Sequence, residues 1–128
     1  LHRLSWLSGL VYEKTNSSKV EEAEHLMGAA LLLRKSVFNE VGGFDEKFFL
    51  WFEETDLLKR IKDCGYKIIY YPDSKVTHLI GQSTKQINPI KKQTIWNRSL
   101  LYYFSKHKGL LQTCLLLPFI IVSYYCWF

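Results

Sequence analysis

Two adjacent carboxylates, Glu53 and Glu54, with Asp56 just beyond them, open an amphipathic stretch in the middle of the chain. Glu54 lies three, four and seven residues before Leu57, Leu58 and Ile61, so on a helix it continues their inward-facing stripe. A partly shielded carboxylate that can take a proton is what a general base requires. The same acids would also serve merely as first-turn residues, which helix N-termini favour. His78 follows one crossover later. It suits either a metal ligand or a hydrogen-bonded structural residue, and no DxD or HxH spacing accompanies it. Phe49, Trp51 and Phe52 offer core packing or a stacking surface for a sugar. Strand-like alternation would put Phe49 and Trp51 on one face and Phe48, Leu50 and Phe52 on the other.

The elements around these residues can be read from pattern. Lys14–Glu24 is polar and reads as an exposed loop. Met27–Leu33 is a short apolar run that suits a buried strand or a helix. Ser36–Val41 reads as a short helix capped by Ser36 and stopped by Gly42 and Gly43. The next helix takes Thr55 as its N-cap and Gly65 as its stop. Asp56–Arg60 and Lys59–Asp63 are then ion pairs on its solvent side. Tyr66–Tyr71 and Lys75–His78 read as strands, with Val76 and His78 on one face of the second. Gly81–Pro89 reads as a polar loop and Lys91–Lys108 as a helix with a basic side.

A chain of 128 residues with 48% hydrophobic and 16% aromatic content supports one small domain. It begins at Leu1 with no signal-peptide pattern, which reads as an internal or C-terminal piece of something longer. Cys64, Cys114 and Cys126 make neither a metal motif nor a disulfide framework. That fits a reduced, cytoplasmic compartment, with Cys64 as a small core residue. All 12 acids lie within residues 1–73, whereas residues 74–128 carry seven basic residues and no acid. Leu110–Phe128 is a 19-residue stretch without charge, close to the ~20 apolar residues of a bilayer span. Basic residues before an apolar run mark a cytoplasmic membrane flank, and nucleic-acid binding does not account for that run. A re-entrant or surface-lying helix and a buried C-terminal helix are the other readings of this segment.

Gly28-Ala29-Ala30 with Arg34-Lys35, Val41-Gly42-Gly43-Phe44-Asp45-Glu46, Phe48-Phe49, Glu53-Glu54-Thr55-Asp56-Leu57, Arg60, Gly65, Pro72 and His78 form an ordered set. In this set the chain resembles the C-terminal half of family 2 glycosyltransferases, in particular rhamnosyltransferase-like members that build bacterial cell-surface polysaccharide. The match covers roughly Leu26 to Ser83 and continues more weakly through Asn97-Arg98-Ser99 and Phe104-Ser105-Lys106-His107. The resemblance implies an α/β fold, the C-terminal half of a GT-A nucleotide-diphospho-sugar transferase, followed by a hydrophobic helical tail. Residues 1–90 would be the acceptor-side part of that domain and residues 91–128 a basic amphipathic and apolar membrane-associating tail. It implies an inverting transfer from a nucleotide-sugar donor to a hydroxyl of a lipid-linked saccharide acceptor. Glu54 would be the catalytic base, with Gly28, Ala29, Trp51, Glu53 and Asp56 lining the acceptor cleft at a tight strand end. It also implies a divalent cation, Mg2+ or Mn2+, near His78, with its other ligands outside this chain. The place implied is the cytoplasmic face of the bacterial inner membrane. The sequence departs from the pattern by having Glu at the base position where Asp is common, and by lacking a nucleotide-binding first half with a DxD motif. The fragment alone would therefore be inactive. The alternative is an inactive, membrane-anchored remnant or interaction module.

Overall fold

The computed structural model describes residues 18–79 and 84–125. The parts of the expectations that fall on residues 14–17, 81–83 and 126–128, Cys126 included, lie outside these. The elements are β1 (Glu21–Glu22), α1 (Lys35–Glu40), α2 (Glu53–Asp63), β2 (Ile69–Tyr70), α3 (Pro89–His107) and α4 (Leu110–Tyr125). Two compact units share the chain: Leu1–Phe44 with Glu54–His78, and Asp45–Glu53 with Leu79–Phe128.

The first unit is built around α2. Leu57, Leu58 and Ile61 are almost wholly buried, as their spacing predicts. Burial of such a side chain contributes roughly 1.5–3 kcal/mol. Leu57 and Ile61 pack with Val37 of α1, and Leu33, Phe38 and Val41 lean on them. Leu58 packs on its other side with Ala23 and Ile68, flanked by Leu26 and Tyr70. Gly65 ends α2 at φ 85°, a left-handed conformation that side chains disfavour. Its N–H donates to Lys62 O (2.8 Å) and that of Tyr66 to Ile61 O (3.2 Å), which closes the helix. The same two-bond closure ends α1, through Gly42 to Asn39 O and Gly43 to Phe38 O.

Several expectations are corrected here. The cap of α1 is Arg34, not Ser36, and makes no side-chain cap hydrogen bond. Helix α2 starts at Glu53, so Thr55 lies in its first turn and is not its cap. Met27–Leu33 is neither strand nor helix but an irregular, mostly exposed segment with a turn at 28–29. The only strand pair among the described residues is β1 with β2, antiparallel with Glu21 opposite Tyr70 and Glu22 opposite Ile69. An apolar run without a neighbouring strand cannot satisfy its backbone as a strand. The expected loop Lys14–Glu24 thus contributes β1, while Tyr66–Tyr71 shortens to β2 and Lys75–His78 forms no strand. Cys64 is exposed, so it is not a core residue.

In the second unit, Asn88 caps α3 by accepting from the Lys91 N–H at 2.7 Å, with Pro89 at the first helical position. The segment 45–53 packs on this helix. Phe48 stacks with Tyr102 at 4.8 Å, and Phe52 lies between Trp96 at 5.0 Å and Tyr103 at 5.7 Å. Ser99 Oγ donates to Leu50 O at 2.8 Å. Helix α4 packs against α3 and carries Pro118 in its interior. Leu116 is buried, whereas Leu110, Leu111, Leu115, Phe119, Ile121 and Val122 are exposed. That overturns the buried-helix reading of this segment. Among the described residues no helix is long and apolar enough to cross a membrane.

Candidate functional site

Glu54 stands half-buried in the first turn of α2, within the first unit. Gly28 lies against it: a Cβ on Gly28 would meet Glu54 Cβ and Cγ at 3.3 Å. A side chain at 28 would need the Glu54 stem to give way slightly, so glycine permits this close approach. Gly28 and Ala29 belong to a turn and not to a strand end as expected.

Trp51 and Phe52, immediately before α2, both have left-handed backbones at φ 63° and 70°. Such conformations cost of order 1–3 kcal/mol each for non-glycine residues and persist where surrounding packing fixes them. Here the packing is aromatic: Trp51 meets Trp96 at 5.7 Å, and Phe52 is buried. Phe48 and Phe52 are buried and Phe49 is 78% exposed, but Trp51 packs on Trp96 as Phe52 does. The expected separation of Trp51 and Phe52 onto opposite faces is therefore not kept, and no strand forms. Glu53, the first residue of α2, buries its Oε2.

Asp56 departs furthest from expectation. Its side chain is fully buried, not on the solvent side, and is paired with Arg60 at 2.8 Å. Arg60 also donates to Val41 O and, at 2.6 Å, to Gly43 O. The pair clamps the end of α1 to α2, a structural task in place of the acceptor contact expected of Asp56. His78 is exposed and at the end of no strand. Among the described residues no three His, Cys, Asp or Glu side chains gather as a metal site.

The second unit has an anion-friendly surface that spacing alone did not flag. Asp45 accepts from Tyr102 Oη at 2.8 Å, Lys106 Nζ at 2.7 Å and the Lys47 N–H at 3.0 Å. Burial would raise its pKa, but these bonds and the Lys106 charge outweigh it and hold the carboxyl well below the usual range. Beside it opens a cleft of about 560 Å3 whose lining includes Lys47, Phe49, Lys91, Ile95, Arg98 and Tyr102. The sequence signal was the pair of Lys91 and Arg98, seven apart and so on one face of a helix.

Residues 11–83 match the family described as the N-terminal domain of galactosyltransferase. The chain belongs to this glycosyltransferase family. It is 42% identical over 85 residues to the N-acetylglucosaminyl-diphospho-decaprenol L-rhamnosyltransferase of Mycobacterium tuberculosis, in both strain CDC 1551 / Oshkosh and strain ATCC 25618 / H37Rv. That alignment covers 66% of this chain and 27% of the relative. It is also 32% identical over 73 residues to the inactive polypeptide N-acetylgalactosaminyltransferase-like protein 5 of Macaca fascicularis, covering 56% of this chain and 16% of that protein. The chain therefore spans about a quarter of the length of the rhamnosyltransferases it matches. No solved structure matches it. The rhamnosyltransferase-like resemblance carried by the residues from Gly28 to His78 is thereby met.

Proposed function

We propose that this chain is the acceptor-side part of an inverting glycosyltransferase with a GT-A fold. It would move a sugar from a nucleotide-diphosphate donor to a hydroxyl of a lipid-linked saccharide. The observation that carries the reading is Glu54, half-buried at a helix start and held against Gly28, within the segment that matches the family. The 42% likeness to a rhamnosyltransferase named for a diphospho-decaprenol substrate supports a lipid-linked acceptor. Glu54 takes the proton of the acceptor hydroxyl as the hydroxyl oxygen attacks the anomeric carbon. The bond from that carbon to the nucleotide diphosphate breaks, and the diphosphate leaves with the electron pair from the opposite face. Gly28 and Ala29 leave room for that hydroxyl within the first unit. His78 and its described neighbours do not by themselves fit a cation. Mg2+ or Mn2+ would take its other ligands from outside this chain. The exposed apolar side of α4 and the basic residues of α3 would hold the enzyme at the cytoplasmic face of the bacterial inner membrane.

The test is Glu54→Gln in the complete enzyme. Loss of a general base lowers kcat by about 10²–10⁴-fold. Donor affinity, measured by titration, should stay within about twofold, because the base acts on the acceptor. Near-normal turnover of Glu54→Gln would remove Glu54 from the mechanism. The alternative of an inactive remnant draws on the 32% likeness to a relative named as inactive.

A further inference from the structure

The cleft of the second unit brings Lys47, Lys91 and Arg98 to one surface, and among the described residues none of the three is paired with a carboxylate. Sequence makes this unit strongly one-sided. Its only acids are Asp45, Glu46 and Glu53, set against seven basic residues. Asp45 is taken up by Lys106 and Tyr102. Lys91 and Lys92 sit in the first turn of α3, which contains no acid. Cations there oppose the helix macrodipole, a placement that costs stability unless an anion lies nearby. A guanidinium and two ammonium groups around one cleft are the donor set that grips phosphate oxygens. The remaining walls, Phe49, Ile95 and Tyr102, are apolar or aromatic. Phe49 is 78% exposed.

We infer that this cleft binds a diphosphate group, that of the lipid-linked acceptor, through Lys47, Lys91 and Arg98. The inference rests on the lipid-linked acceptor of the proposed function and assigns its charged linker to residues of α3 and the 45–53 segment. Two sources could present a diphosphate: a polyprenyl carrier or a nucleotide donor. The cleft favours the carrier. Phe49 and Ile95 offer an apolar wall to the first isoprene units, and α4 of the same unit exposes an apolar side to the membrane that holds the rest.

The experiment titrates the full 128-residue chain, in neutral detergent, with inorganic pyrophosphate, geranyl diphosphate and uridine diphosphate. Saturable pyrophosphate binding is expected. Arg98→Gln should weaken it at least about tenfold, the scale of one lost charge-assisted contact. Geranyl diphosphate should bind more tightly than uridine diphosphate. Circular dichroism checks that each variant is folded, and Lys91→Gln carries the same expectation if Arg98→Gln is not. Absence of saturable binding, or binding unchanged in the folded variants, overturns the proposal. Equal or tighter binding of uridine diphosphate overturns it too, by giving the cleft to the donor. None of these readouts needs turnover. A complete enzyme that transfers no sugar while its cleft still binds pyrophosphate would sink the proposed function and leave the diphosphate site standing.

Discussion

Arg60 divides its guanidinium among three acceptors: the Asp56 carboxylate and the carbonyls of Val41 and Gly43. A planar fork can serve several acceptors at once, and a lysine ammonium at the end of its stem cannot reproduce that geometry. Removing the cation leaves Asp56 as a buried charge without its counterion, a loss that typically costs about 3–5 kcal/mol. Arg60→Ala should therefore lower stability by that amount in chemical denaturation. Arg60→Lys should lose an intermediate ~1–3 kcal/mol. An Arg60→Ala protein within ~0.5 kcal/mol of the parent, the range of ordinary surface changes, would show the clamp to be ornamental. The four-residue spacing of Asp56 and Arg60 announces that they can pair, but not on which side of the helix. What turns the pair inward is a contact with carbonyls 17 and 19 residues back, and local spacing carries no trace of that. Glu54 was legible for the opposite reason, since its place follows from the stripe of Leu57, Leu58 and Ile61.

Among the contacts that hold the segment 45–53 to α3, the Asp45 carboxylate is the ionised one, bound to Tyr102 and Lys106. The Asp45 carboxyl is depressed below its ordinary value of 3.8, because its bonds to Lys106, Lys47 N–H and Tyr102 outweigh the burial that would raise it. A carboxyl depressed in the folded state lends its stability above its unfolded pKa and loses it as pH falls through the folded value. Asp45→Asn should thus be less stable than the parent at pH 7, by roughly 1–3 kcal/mol for a charged hydrogen-bonded group. The difference should begin to narrow as pH drops below 3.8 and close only as pH falls through the lower folded value. Thermal melts at neutral and acid pH read this directly, and a gap that stays constant with pH would mean that the Asp45 charge is not what holds the segment. At this scale α2 and α3 could be foreseen, because stripes and stop signals are local. The irregular course of Met27–Leu33 could not, because an apolar run becomes a strand only with a partner. The left-handed Trp51 and Phe52 also escaped, since only glycine or asparagine would have advertised that conformation.

Across the whole chain, charge and apolar surface divide sharply. All acids precede residue 74, and the exposed apolar side chains of α4 follow the basic α3. Binding to a bilayer should then have two components. Lys91, Lys92, Arg98, Lys106 and Lys108 supply attraction to anionic lipid of ~1 kcal/mol per basic residue, which salt screens. Leu110–Phe128 supplies apolar insertion, which salt does not screen. Liposome flotation should find the intact protein bound at low and high salt, and a protein lacking Leu110–Phe128 released at high salt but only partly at low salt. An intact protein that stays off anionic liposomes at low salt would defeat the membrane reading. The two units also impose a rule on inheritance. The chain crosses between them three times, at 44/45, 53/54 and 78/79. No single crossover point can therefore exchange one unit and keep the other. A recombinant joined after His78 would bring in an α3 from one parent to meet a 45–53 segment from another. Asp45 would face a foreign residue at 106, Leu50 at 99 and Phe52 at 103. Lineages of this protein should thus trade these stretches together or not at all, and shuffled libraries should yield folded chimeras only when both come from one parent.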